Sequence, residues 1–184
     1  MVEAIRMSVG VPHGTRERLA ARVGEEKARR HDLLADPRWK VPRGASAEVR
    51  AAVRAQAHAH LGELREAGAL RDTVDVLVTH AVRAELARRE WDHAWPAPPS
   101  TAPRSGPWPG TRPISWPERI AVRLPGDLAE TLYRACWHAS EPTITALRAW
   151  QDDPLQYAQY AQVAGQVTAP GDLLRDAVSR ALTD

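Results

Sequence analysis

Two short stretches, far apart in the chain, alternate apolar residues with polar or small ones. In the first, Met7, Val9 and Val11 alternate with Arg6, Ser8 and Gly10; in the second, Ile120, Val122 and Leu124 alternate with Arg119, Ala121 and Arg123. A period of two predicts strands with one apolar and one polar face. Pro12 and Pro125 close the stretches, because proline has no N–H to give to a strand ladder. Helices are expected directly afterwards, over residues 15–31 and 127–139. Thr15 and Asp127 are the expected N-caps, with side-chain oxygens that can accept from free N–H groups of the first turn.

The stretches also match each other. Residues 6–19 align with residues 119–132 without a gap: Arg, Val, Pro, Glu and Leu recur in place, and Met/Ile, Ser/Ala and Val/Leu are conservative exchanges. This predicts a duplicated unit. Each copy holds a later apolar stripe at helical spacing, Leu77, Val78, Ala81, Val82 and Leu86 in the first and Leu173, Leu174, Ala177, Val178, Ala181 and Leu182 in the second. Between first helix and stripe lies a helical insertion, residues 45–67 with Val49, Val53, Leu61 and Leu64 in one copy and residues 142–165 in the other.

Residues 91–118 hold eight of the fifteen prolines and four of the seven tryptophans. Fixed φ angles and missing donors exclude helix and central strand there, leaving a semi-extended connector. The chain thus divides into a first copy over 1–90, a linker over 91–118 and a second copy over 119–184. Trp91, Trp95, Trp108 and Trp116 either pack back onto the flanking helices or, with the prolines, offer a polyproline ligand to a partner protein.

Composition narrows the function classes. With 184 residues, 43% hydrophobic, the chain can bury one core or two small ones that share a face. No apolar run approaches the roughly 20 residues of a membrane helix, and residues 1–10 lack a signal-peptide pattern, so a cytoplasmic protein is expected. Cys136 is the only cysteine, which excludes an internal disulfide and a multi-cysteine metal site. Net charge is only +2, yet residues 1–65 carry 13 basic against 8 acidic side chains and residues 119–184 carry 6 against 8. Any nucleic-acid face must therefore be local, and stronger in the first half.

Catalytic patterns are sparse. His58 and His60, two positions apart, fall about 200° from each other on a helix and make a poor metal pair. Cys136 and His138 share that spacing, which argues for a buried structural thiol, and the glycines form no phosphate-binding loop. Glu63, Glu66 and Glu85 alternate with arginines and read as solvated ion-pair faces. Neither an enzyme, a metal nor a cofactor is expected.

Residues 119–128, RIAVRLPGDL, resemble the opening of ribbon-helix-helix proteins, a strand often written xVRLP followed by a helix that starts near an acidic residue. Residues 75–86 and 171–182 are similar to that family's second helix, whereas the long insertions depart from it. Residues 141–150, closer to the first helix of copy two, are an alternative second helix. The resemblance implies a mainly α fold with short β, in which two strand-helix-helix copies pair their strands as a monomeric pseudo-dimer, or as a higher assembly on DNA. It implies double-stranded DNA as partner, read in the major groove by the ribbon. Carried over by matched position, Arg6, Ser8, Gly10, Arg119, Ala121 and Arg123 would face the DNA. Thr73 and Thr168, near the second helices, would anchor phosphates. The plainer readings are a solvated strand face and ordinary helix caps, with Asp72 and Asp172 opposing a phosphate. The roles implied are those of a transcriptional repressor, or a plasmid, relaxosome or antitoxin-type regulator. The alternative is a helical protein-interaction adaptor that binds a partner through the linker or the insertions and does not bind DNA.

Overall fold

The computed structural model describes residues 3–104, 108–109, 114–150 and 157–183. Both alternating stretches are strands, β1 (Ala4–Val11) and β2 (Glu118–Pro125). They pair antiparallel with each other, from Ala4 opposite Pro125 to Val11 opposite Glu118. Helices α1 (Thr15–Leu34), α2 (Ala47–Glu66) and α3 (Val74–Arg88) follow β1, and α4 (Gly126–Ala149), α5 (Tyr157–Ala164) and α6 (Pro170–Ala181) follow β2. A short 3-10 turn, Pro37–Trp39, precedes α2. The protein is mainly helical, with a single short ribbon among the described residues.

A two-stranded ribbon alone is marginal in water, so its apolar face must be covered. Val9, Val11, Ile120, Val122 and Leu124 are buried and Met7 is half-buried. The cover is crosswise: α3 of the first half packs on β2, and α6 of the second packs on β1. These two helices also form the most extensive helix contact, burying Leu77, Val78, Val82 and Leu86 on one side and Leu173, Leu174, Ala177 and Val178 on the other. Each fully buried Val or Leu stabilises by roughly 1.5–3 kcal/mol over an exposed one. One core cluster runs through both strands, α1, α3, α4 and α6, so the segments either side of the linker share a single interior.

Two buried carboxylates tie the helices together. Glu85 on α3 is 1% exposed, which corrects its reading as part of a solvated face. It pairs with Arg88 at 2.6 Å, Arg89 at 2.7 Å and Arg180 of α6 at 2.9 Å. The hydrogen bond from Arg88, then that from Arg89, outweighs desolvation and holds its carboxyl down at about 2. Asp72 is fully buried between Arg65 of α2, at 2.6 Å, and Arg30 of α1, at 3.2 Å. Hydrogen bonding from Arg65 in particular holds Asp72 below the usual carboxylate range.

The helix starts differ from expectation. Gly14 precedes α1 at φ 77°, a left-handed conformation that suits glycine. Glu118 of β2 accepts from the N–H of Gly14 at 2.7 Å and of Arg16 at 3.0 Å. A strand carboxylate thus does the capping expected of Thr15, which is itself the buried first residue of α1. Those donors hold the Glu118 carboxyl below its ordinary range, Arg16 foremost. Helix α4 begins at Gly126 with no side-chain cap, so Asp127 lies in its first turn and does not cap it.

Helix α4 runs through Pro142 without a break, so residues 141–150 are its end and not a separate second helix. An internal proline costs about 3 kcal/mol. Here Ser140, Ile144 and Leu147 continue the buried stripe of Leu132, Cys136 and Trp137, and that burial offsets the cost. The linker lies against the same helix. Trp108 is buried, edge-on to Tyr133 and Trp137, and Trp95 stacks on His138 at 5.5 Å. Arg134 donates to the Trp95 carbonyl at 3.2 Å, and His138 Nε2 meets the Pro96 carbonyl at 3.1 Å. Of the two linker readings, inward packing holds for these residues.

Candidate nucleic-acid interface

The outer face of the ribbon exposes Arg6 and Ser8 from β1 and Arg119, Ala121 and Arg123 from β2. Across the strands Arg6 faces Arg123, Ser8 faces Ala121 and Gly10 faces Arg119. Like charges directly opposite on a ribbon destabilise it. Of the other arginines, some are matched with carboxylates, as at Arg65, Arg88, Arg89, Arg134 and Arg180, and others, such as Arg18, Arg50 and Arg83, are not matched among the described residues. The side chains of Arg6, Arg119 and Arg123 have no such partner among the described residues. Five of the six side chains expected on this face are therefore open, and three are uncompensated cations.

The sixth, Gly10, is covered. It is half-buried, and a Cβ built on it would lie 2.5 Å from the Trp116 indole. Arg175 of α6 lies over that indole, 4.3 Å from its centre, and donates to the Gly10 carbonyl at 2.8 Å. Gly10 is thus a point of close approach and not an open contact position. A glycine inside an alternating strand is a sequence signal for such an approach; what approaches it is not.

The starts of α3 and α6 flank the ribbon on its two sides. At α3, Asp75 accepts from the Arg123 backbone N–H at 2.9 Å, and Thr73 is the exposed N-cap, its Oγ1 accepting from Val76 N–H at 3.2 Å. Thr168 is placed differently: it is half-buried, one residue before the N-cap Ala169, and its N–H donates to Ser140 Oγ at 2.9 Å. The start of α6 is closed instead by Asp172, which accepts from Ala169 N–H at 3.0 Å. Thr168 is therefore no cap. The two aspartates expected to oppose a phosphate are both engaged, Asp72 by Arg65 and Arg30, and Asp172 by Arg175.

Other chemistry is limited. Cys136 is fully buried and burial pushes its thiol well above the ordinary value, so it is a poor nucleophile. No group of three or more His, Cys, Asp and Glu side chains could hold a metal among the described residues, and no described helix is long and apolar enough to cross a membrane. A cavity of about 370 Å³ lies between α1, the 3-10 turn and α2, lined by Leu34, Trp39, Val53 and Leu61 with Arg54 and His58 beside them. In comparisons with known proteins, the chain matches no protein-family model, no curated protein and no solved structure.

Proposed function

We propose that this protein binds double-stranded DNA sequence-specifically by laying the β1–β2 ribbon in the major groove, as a tandem ribbon-helix-helix regulator whose halves imitate a homodimer. A groove about 12 Å wide admits a two-stranded ribbon, and arginine can bind guanine through two hydrogen bonds. The observation that carries the reading is the outer face itself: Arg6 and Arg123 stand opposite each other, exposed and without a carboxylate. Such a placement costs stability in the free protein and is relieved by an anionic partner. The crosswise packing of α3 and α6 supports it further, since it sets Asp75 in the first turn of α3 against the Arg123 backbone and Gly171 in the first turn of α6 close to Val9. The role that fits is a repressor, or a plasmid, relaxosome or antitoxin-type regulator.

Retention on duplex DNA measured against salt tests this. Phosphate contacts release counterions, so log affinity should fall linearly and steeply with log salt. Absence of retention at low salt would remove the reading and favour the adaptor, for which the inward-turned linker tryptophans leave the helical insertions as the contact surface.

A further inference from the structure

A homodimeric ribbon presents identical residues at its two ends, and so reads a palindrome. This ribbon does not. Residues 6–19 align with 119–132, so Ser8 and Ala121 are matching positions that also face each other across the strands. The approximate two-fold axis therefore passes between them. Arg6 corresponds to Arg119, and Gly10 corresponds to Arg123. One end of the ribbon holds Arg6 and Arg123 together, and the other holds Arg119 beside Gly10.

The second end is altered further. Trp116 occupies the space over Gly10, and Arg175 lies over Trp116 and bonds the Gly10 carbonyl. Neither has a counterpart at the first end: Glu3 stands at the position matching Trp116 and Thr79 at the position matching Arg175. Arg6 and Gly10 are about 13 Å apart at roughly 3.3 Å per residue. That spacing equals about four base pairs at roughly 3.4 Å each, so the two ends meet different bases.

We propose, on the footing of the DNA-binding reading above, that the site recognised is not a palindrome. One half is specified by guanines under the arginine pair Arg6 and Arg123; the other, under Arg119 and the indole-covered Gly10, is read loosely. Arg6 and Arg123, from different strands and different halves of the chain, act on the same half-site.

The test is selection of duplexes from a random pool by the full chain, repeated with Arg6→Ala, Arg123→Ala, Arg119→Ala and the double variant Gly10→Arg with Trp116→Ala. The parent should enrich one strong and one weak half. Arg6→Ala and Arg123→Ala should each weaken binding about tenfold and relax the same base positions, while Arg119→Ala relaxes the other end. The double variant, which opens the covered end and supplies the missing arginine, should sharpen the weak half toward a palindrome. A palindromic site from the parent, or Arg6→Ala and Arg123→Ala acting on opposite halves, would overturn this inference and leave DNA binding intact. A pool that yields no enriched sequence at low salt would instead remove DNA reading by the ribbon, and the asymmetry with it. The single arginine variants, being solvent-exposed changes, keep the proposal decidable where the double variant fails to fold.

Discussion

Helix α1 buries Thr15, Leu19 and Val23, whereas α4, its counterpart after the second strand, buries nine residues from Leu128 to Leu147. The strands before them are alike, and so are the buried stripes of α3 and α6. The difference lies in what covers each helix. Linker residues Trp95 and Trp108 lie over α4, while α2, the insertion of the first half, buries only Ala57 and Leu61 and leaves Val49 44% exposed. The ribbon with α3 and α6 is thus a shared centre, and the outer helices are firmly held in one half and lightly held in the other. Regions with few buried apolar contacts open at lower free energy than the core.

The largest effect should come from the centre, where adjacent residues face opposite ways. Val122→Asp puts a carboxylate into the interior, which costs several kcal/mol when unpaired, a large part of the roughly 5–15 kcal/mol that holds a domain folded. Ala121→Asp, one residue away on the open face, should leave the fold in place. Circular dichroism melts should show loss of cooperative helicity for the first and a transition near the parent's for the second; equal melts would mean the ribbon faces are wrongly assigned.

Next come the two flanks. Trp108→Ala removes a buried indole against Tyr133 and Trp137, and large-to-small aromatic changes cost about 3–5 kcal/mol. Val49→Ala on α2 should stay within about 0.5 kcal/mol. Denaturant midpoints that moved equally would show that the linker does not support α4 more than α2 supports the first half.

The tie between α3 and α6 gives a smaller, pH-dependent effect. Glu85 sits at about 2 against its ordinary 4.5, because arginine hydrogen bonds outweigh desolvation. A lowered carboxyl contributes stability that is fully present above about 4.5 and is lost as pH falls toward 2, here on the order of 3 kcal/mol. Glu85→Gln should lower the melting temperature at pH 7 and flatten its fall between pH 5 and 2, leaving the share that Asp72 contributes. An acid profile unchanged by the substitution would assign that loss elsewhere.

Much of the centre was legible in the sequence because local periodicity encodes it. Met7, Val9 and Val11, with Ile120, Val122 and Leu124, alternate as a half-buried strand must, and the stripes at Leu77 and Leu173 mark helices whose partners are apolar. What escaped depends on distant residues. Glu85 looks solvated beside its neighbouring arginines, and its burial where α3 packs on α6, with Arg180 reaching it from the other helix, has no local signal. Thr15 and Asp127 are sound caps by local chemistry, but Glu118 from across the ribbon takes the first role and the second is left without a side-chain cap. Pro142 marks a helix end unless the burial of Ile144 and Leu147 is known. On the candidate interface, the exposed arginines followed from alternation alone, whereas the cover over Gly10 comes from Trp116 and Arg175 and has no local signature.

The central claim is that the outer face of the ribbon is the DNA-reading surface, and the double variant Arg6→Ala with Arg123→Ala tests it most directly. Both side chains are exposed and unpaired, and they repel each other across the strands, so their removal should keep the thermal melt of the parent or raise it slightly. Fluorescence anisotropy against a selected duplex, at one fixed salt concentration, should then show affinity lowered at least tenfold, since each arginine–guanine pair is worth about 1–3 kcal/mol of discrimination. A variant with an intact melt and the parent's affinity would contradict the account.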